Sequence, residues 1–316
     1  MHQEEPMETT SFKASDSKKI IYRIWIPENN HIHSIVHIFH GMAEHSARYE
    51  RFANYLNGLG IAVYAQDHRG HGMTASDEEL GWFAEKNGWK RVLQDGYELD
   101  QIIAKTYPGK DIFLFGHSMG SFMVRSLITQ HPSQYTGAII CGTSSGQGFL
   151  GFAGKMLARI RSLRNHGHNP DLLLDNLSFG SFGRDIQPQK TTFDWLSHDE
   201  DEVQAYVDDP LCGFVCTTRF FIDLLDGIAM ANNKRLMRRI PKDFPLYIIS
   251  GSMDPVGAYG KGVQKVYEAY LASGLNEVRF DLIEGARHEL LNAINREDIH
   301  KMLGQWLEQH KSRRNR

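Results

Sequence analysis

The chain has 316 residues, enough for one large α/β domain carrying an insertion or for two small domains. Apolar residues make up 41% and charged residues 23%, the balance of an ordinary globular protein, and a net charge of −3 supplies no basic field for nucleic acid. Three cysteines, Cys141, Cys212 and Cys216, are too few and too loosely spaced for a disulfide framework or a zinc site, and read as buried free thiols of a reducing compartment.

The first 16 residues are polar and include Glu4, Glu5 and Glu8. They have neither a basic n-region nor an apolar h-region, so they are not a secretory signal, and no stretch approaches 18 consecutive apolar residues. A cytoplasmic protein is therefore expected. Residues 20–26 alternate apolar and polar as a half-buried strand does. A second strand, 34–39, ends in His40-Gly41. Tyr49, Phe52, Tyr55, Leu56 and Leu59 recur at helical spacing, and Gly60 closes that helix. A strand at 61–65 runs into the loop Asp67-His68-Arg69-Gly70-His71-Gly72. Residues 89–107 read as a helix through Val92, Tyr97, Leu99 and Ile103. A buried strand at 113–115, a helix at 118–131 stopped by Pro132, and a strand at 137–141 follow.

This alternation argues for an α/β fold, a mostly parallel central sheet with helices on both faces. It breaks after Cys141. Residues 142–239 hold no strand pattern, only two apolar helical stretches, about 149–160 and 220–240, joined by a polar, Asn/Asp-rich segment. It resumes with a strand at 246–250, a helix at 262–273, a strand at 278–283 and a last amphipathic helix whose inward face is marked by Leu291, Ile294, Met302, Trp306 and Leu307. The chain thus divides into a first part of the core at 10–143, a helical lid insertion at 144–240 and a second part of the core at 241–310. The basic tail from Lys311 to Arg316 reads as a solvated end.

The strand-to-helix junction carries Gly116-His117-Ser118-Met119-Gly120. A G-x-S-x-G at such a place is a nucleophile elbow, a turn tight enough to lift the serine hydroxyl clear of the chain. The flanking glycines are needed because a Cβ would meet the neighbouring strand or helix. A serine hydroxyl needs a general base, and the base needs an orienting acid. In elbow hydrolases the chain order is nucleophile, acid, histidine. Asp254 follows a late strand and His288 follows the last one, so Ser118, Asp254 and His288 can converge at the carboxyl ends of the strands. Competing local readings are an Asp-Pro turn for Asp254 and a helix cap for His288, with Glu284 and Glu289 as rival acids. The oxyanion donors are assigned to the backbone N–H groups of Met119, at the start of its helix, and of Met42, in the loop after the second strand. His31, His33, His37 and His40 cluster in sequence, but no carboxylate or cysteine accompanies them, so neither a metal nor any other cofactor is expected.

Four ordered segments resemble a known family. His40-Gly41-Met42-Ala43-Glu44-His45-Ser46-Ala47-Arg48-Tyr49 is similar to the HGxxEHSxRY segment of monoacylglycerol lipases and bacterial lysophospholipases of the α/β-hydrolase fold. Residues 67–72 are similar to that family's D-x-R-G-H-G loop, the elbow has its usual form, and Gly285-Ala286-Arg287-His288-Glu289-Leu290-Leu291-Asn292 is similar to the bacterial members' GARHExLN. The resemblance covers about 34–145 and 244–307, and implies the same triad and oxyanion residues and a lid made of the inserted helices. Ser121 stands where many members have glycine, and Asp254 is followed by Pro255-Val256-Gly257 where the mammalian lipases carry a cysteine soon after the acid.

In the insertion Phe149, Phe152, Met156, Leu157 and Ile160 share one helical face, accompanied by Lys155, Arg159, Arg161 and Arg164. Phe149, Phe152 and Met156 are expected to contact an acyl chain. Two readings stay open for this helix: contact with membrane or micelle surfaces, or a lid packed face-down on the core. The expected function is a serine-dependent carboxylic ester hydrolase that releases fatty acid from monoacyl lipids, monoacylglycerol or lysophospholipid. Two alternatives remain. One is a prolyl aminopeptidase-type peptidase, whose amine-binding acids would come from Asp199, Glu200, Asp201 and Glu202; the other is a catalytically silent binding protein. The small-molecule lipid ester is the expected partner, and the oligomeric state is left open.

Overall fold

The computed structural model describes residues 7–146, 148–163 and 165–311, the side chains of 148–150, 152 and 165 excepted. Eight strands form one sheet: β1 (Met7–Lys13), β2 (Lys19–Trp25), β3 (Ser34–Phe39), β4 (Ile61–Gln66), β5 (Asp111–His117), β6 (Gly137–Cys141), β7 (Leu246–Gly251) and β8 (Val278–Ile283). Their spatial order is β1-β2-β4-β3-β5-β6-β7-β8. The pairings of β2 with β1 and with β4 are antiparallel and all others parallel.

Helices α1 (Glu50–Gly58), α2 (Gly88–Thr106) and α3 (Met119–Gln130) connect the strands up to β6. Five more, α4 (Gly148–Arg161), α5 (Leu172–Phe179), α6 (Glu200–Asp208), α7 (Thr218–Ala231) and α8 (Lys234–Met237), lie between β6 and β7. α9 (Lys261–Ala272) and α10 (Arg296–His310) follow β7 and β8.

Strand periodicity sorts the core into two layers. Ile35, Ile112 and Leu114 face Val92, Leu127 and Val266 of α2, α3 and α9. Val36, Phe113 and Phe115 face Phe52, Leu303 and Trp306 of α1 and α10. The strands β3, β4, β6 and β7 are buried at every position, which is why they read as mostly apolar runs, with His37 the polar exception inside β3.

The structure departs from the sequence reading at four places. β1 was not expected, because its side chains are mostly exposed and its order comes from backbone pairing with β2. α5 and α6 occupy the segment read as a polar connection. The stretch at 220–240 is two helices, since Asn233 caps a new start by accepting from the N–H groups of Arg235 and Leu236. The last helix begins only at Arg296: Leu291 lies in a 3₁₀ turn, Ile294 is 71% exposed and Met302 is half-buried, so the inward face is Ile299, Leu303, Trp306 and Leu307.

Candidate active site

β5 ends at His117 and α3 begins at Met119, which leaves Ser118 alone to make the turn. Its backbone sits at φ 51°, ψ −117°, a strained conformation for a residue with a Cβ. The strain is held because α3 packs tightly on the sheet. A Cβ at Gly116 would collide with the Gly120 backbone, and one at Gly120 with the carbonyls of Phe39 and His40. The Ser118 N–H donates to the Cys141 carbonyl at 3.0 Å, tying the turn to β6.

Asp254 follows β7, His288 follows β8, and the two meet. Nδ1 of His288 donates to Oδ2 of Asp254 at 2.9 Å, with both residues buried. The carboxylate also accepts from the Val256 N–H at 2.9 Å and the Ser250 hydroxyl at 3.1 Å. With its Nδ1 proton committed to Asp254, the imidazole presents a bare Nε2, the form a general base requires. The Trp195 ring packs against it, centroids 5.1 Å apart. α10 starts eight positions after His288, so the histidine does not cap it. Glu284 is exposed, and Glu289 is taken up by Arg48.

Ser118 and His288 line one cavity of about 970 Å³, together with Met42 and Met119. Met119 is the first residue of α3, where a backbone N–H has no helical acceptor. Gly41 brings the Met42 loop against Ser118: a Cβ there would stand 3.2 Å from that of Ser118. The wall from α3, α4 and α7 is apolar, with Phe122, Leu157, Phe221, Leu224 and Ile228. The wall from α5 and the segment after it is mixed, with Asp175, Asn176, Ser178, Arg184 and Gln189. Phe149 and Phe152 lie outside the described side chains. Met156 is 41% exposed and does not line the cavity; its neighbour Leu157 does. The acidic run at 199–202 lies outside the cavity as well: Asp199 pairs with Arg296 at 2.8 Å, Glu200 with Lys190 at 2.5 Å and Glu202 with Arg51 at 2.8 Å.

Residues 30–295 match the family model described as serine aminopeptidase, S33. The chain belongs to this family of α/β hydrolases. It is 28% identical to human monoglyceride lipase over 284 residues, which is 87% of this chain and 82% of that one. To the monoacylglycerol lipase of Mycolicibacterium smegmatis it is 24% identical over 311 residues, covering 95% and 96% of the two chains. Among solved structures, a thermostable carboxyl esterase from Bacillus coagulans, in complex with glycerol, superposes with a TM-score of 0.89 at 29% identity and covers 96% of this chain and 98% of its own.

Around the site of this S33 hydrolase lies a buried polar network that sequence reasoning missed. Oε1 of Glu44 accepts from the Gly41 N–H at 2.5 Å, the Tyr49 hydroxyl at 3.0 Å and Nδ1 of His117 at 3.1 Å. Oε2 accepts from Arg48 at 2.9 Å, and Arg48 reaches on to Glu289 beside His288. Burial pushes the Glu44 carboxyl up, but His117 and Arg48 together hold it well below the usual carboxylate range. Burial pulls His117 down, but Glu44 outweighs it and the imidazole ends above its ordinary value. The network joins the loop that carries Met42 to the loop that carries His288 through charges that cannot leave without stranding a partner. The E-H-S-x-R and R-H-E segments were its visible trace in the sequence.

The clustered histidines have protein partners of their own. His33 Nε2 bonds the Leu59 carbonyl at 2.8 Å and His37 Nδ1 bonds Asp100 at 2.8 Å. His40 Nδ1 donates to the Gly41 carbonyl at 2.7 Å, and its Nε2 accepts from the His68 N–H at 3.0 Å. Among the described residues one group, His45, Asp209 and Cys212, brings three metal-ligand atoms within 4.8 Å of one another, but His45 and Asp209 already pair at 2.8 Å and need no ion to meet.

Proposed function

We propose that the chain is a serine ester hydrolase of the esterase/lipase class, and that its substrates are monoacyl lipids, monoacylglycerol or lysophospholipid. The observation that carries this is the His288–Asp254 pair opening, with Ser118, onto a roomy cavity with a largely apolar wall. Ser118 Oγ attacks the acyl carbonyl while Nε2 of His288 takes its proton. The N–H groups of Met42 and Met119 stabilise the tetrahedral oxyanion. His288 then protonates the leaving alcohol, and the same imidazole activates the water that frees the fatty acid. Asp254 holds the tautomer throughout. The apolar wall takes the acyl chain and the mixed wall takes the headgroup. The lipase relatives and the esterase likeness support this reading.

Ile160, Leu163, Leu172 and Leu173 are exposed on the insertion and lie outside the cavity lining, which supports contact of the insertion with lipid. No described helix is long and apolar enough to cross a membrane. The aminopeptidase alternative needs an ionised carboxylate for a free amine. Among the described insertion acids only Asp175 lines the cavity, and the facing wall from α3, α4 and α7 is apolar, so the ester reading is favoured.

The test is a panel of long-chain monoacylglycerols, lysophospholipids, short p-nitrophenyl esters and prolyl anilides, run beside labelling by a fluorophosphonate probe. Ester cleavage with labelling that disappears in Ser118→Ala is the expected result. Cleavage of the anilide alone, or label that survives Ser118→Ala, overturns the reading.

A further inference from the structure

Arg125 lies in the middle of α3 and is wholly buried, yet among the described residues no carboxylate pairs with it. A guanidinium left in the interior without a counter-ion is costly unless its N–H groups are fully used. Here both Nη groups are spent on two short segments, and only Nε lacks a hydrogen-bond partner among the described residues. Nη1 donates to Thr143 Oγ1 at 3.0 Å and to the Ser144 carbonyl at 2.9 Å. Nη2 donates to the Ala231 carbonyl at 3.1 Å and to Asn232 Oδ1 at 2.6 Å. Thr143 and Ser144 are where the chain leaves β6 for the insertion, and Ala231 and Asn232 are where α7, its last long helix, ends. One buried cation therefore grips both ends of the segment that supplies most of the cavity wall.

The same contact reaches the nucleophile. The Ser121 hydroxyl lies 2.5 Å from the Ser118 carbonyl oxygen and 2.8 Å from Thr143 Oγ1. Ser121 has a single hydroxyl proton, which the carbonyl claims, so the Thr143 hydroxyl donates to Ser121 and accepts from Arg125. A continuous line of hydrogen bonds runs from Arg125 through Thr143 and Ser121 to the backbone of Ser118. Ser121 is the position where the elbow departs from the glycine of the family it resembles, and a glycine could not make this link.

We propose that Arg125 is a positioning residue that pins the insertion to the nucleophile elbow, so that the acyl-binding wall and the Ser118 turn hold one fixed relation. This rests on the reading of the insertion as an acyl-binding lid. A long acyl chain bears on α4 and α7 and feels the pin; an acetyl group does not reach them.

The experiment compares wild type with Arg125→Met, Arg125→Lys and Asn232→Asp. It measures kcat/KM on a long-chain monoacylglycerol and on p-nitrophenyl acetate, fluorophosphonate labelling rates, and amide hydrogen exchange around Thr143 and Asn232. Arg125→Met is expected to lose about tenfold on the long-chain ester and under about threefold on the acetate, with faster exchange in both segments. Arg125→Lys, which can satisfy one segment at a time, falls between. Asn232→Asp supplies the missing carboxylate and slows exchange in both segments. Equal losses on the two esters, or unchanged exchange, overturn the proposal. Should Arg125→Met fail to fold, the Lys and Asp variants decide it alone. A wild type inert on every long-chain ester would defeat the lipid reading, while exchange and labelling still judge the pin.

Discussion

Arg48 and Glu289 stand 241 positions apart in the chain and meet in a two-pronged ion pair at 2.6 and 2.8 Å. One belongs to the loop that carries Met42 and the other directly follows His288. Glu289→Gln keeps the volume and removes the charge, leaving Arg48 to Glu44 alone. The variant is expected to lose roughly 3 kcal/mol of stability, the usual cost of breaking a buried pair, and at least about tenfold in kcat as the two loops drift apart. Thermal melting and ester kinetics measure the two effects. A lowered melting temperature with unchanged kcat would reduce the pair to a structural strut.

Gly120→Ala tests the elbow. The new methyl group would drive into the carbonyls of Phe39 and His40, so α3 must move off the sheet and take Ser118 with it. Fluorophosphonate labelling should fall at least about tenfold, whereas Gly58→Ala, where the added atom meets nothing within 4 Å, should label like wild type. Comparable labelling of both variants would argue against the strained turn as the source of reactivity.

Acid should weaken the fold in a defined window. Burial pushes His68 down to about 3 and His71 and His300 to about 4. In the unfolded chain they return to about 6.5. Below pH 6.5 the unfolded state binds more protons than the folded one, so stability is full above that pH and declines as pH drops toward 4. Each histidine contributes a loss of order 1 kcal/mol at pH 5.5. Urea unfolding at pH 7.5, 6.5 and 5.5 reads the slope, and His300→Gln should flatten it. A slope that ignores the substitution would exclude His300 as a source.

The exposed leucines of α5 test lipid contact. Leu172 and Leu173 are 65% and 44% exposed and lie outside the cavity lining. Leu172→Glu combined with Leu173→Glu should cut hydrolysis of vesicle-borne monoacylglycerol severalfold and leave p-nitrophenyl acetate turnover within about twofold. Co-sedimentation with phosphatidylcholine vesicles should fall in parallel. Equal sedimentation of both proteins would remove the surface from consideration.

Legibility in the sequence followed burial. β3, β4 and β7, covered on both faces, announce themselves as apolar runs, and Ser118, Asp254 and His288 stand at strand ends that those runs define. β1 was hidden because Met7–Lys13 is ordered by the hydrogen-bonding edge of β2 rather than by its own side chains. Ile294 misled because helical spacing continues past Asn295 in sequence while the backbone does not. Glu44 and His117 are adjacent to recognised motifs, yet their partnership exists only once β3 and β5 lie side by side. The fold of the insertion was the least readable part, since α5 and α6 are short; the Asp171 carboxylate caps α5 by accepting from the Leu174 N–H, while α6 begins without a side-chain cap.

Strands β7 and β8 lie at the far edge of the sheet and come last among its strands in the chain, and one member of the His288–Asp254 pair follows each. Under the proposed mechanism a chain interrupted anywhere before residue 288 lacks its general base, so a truncated product should be inert.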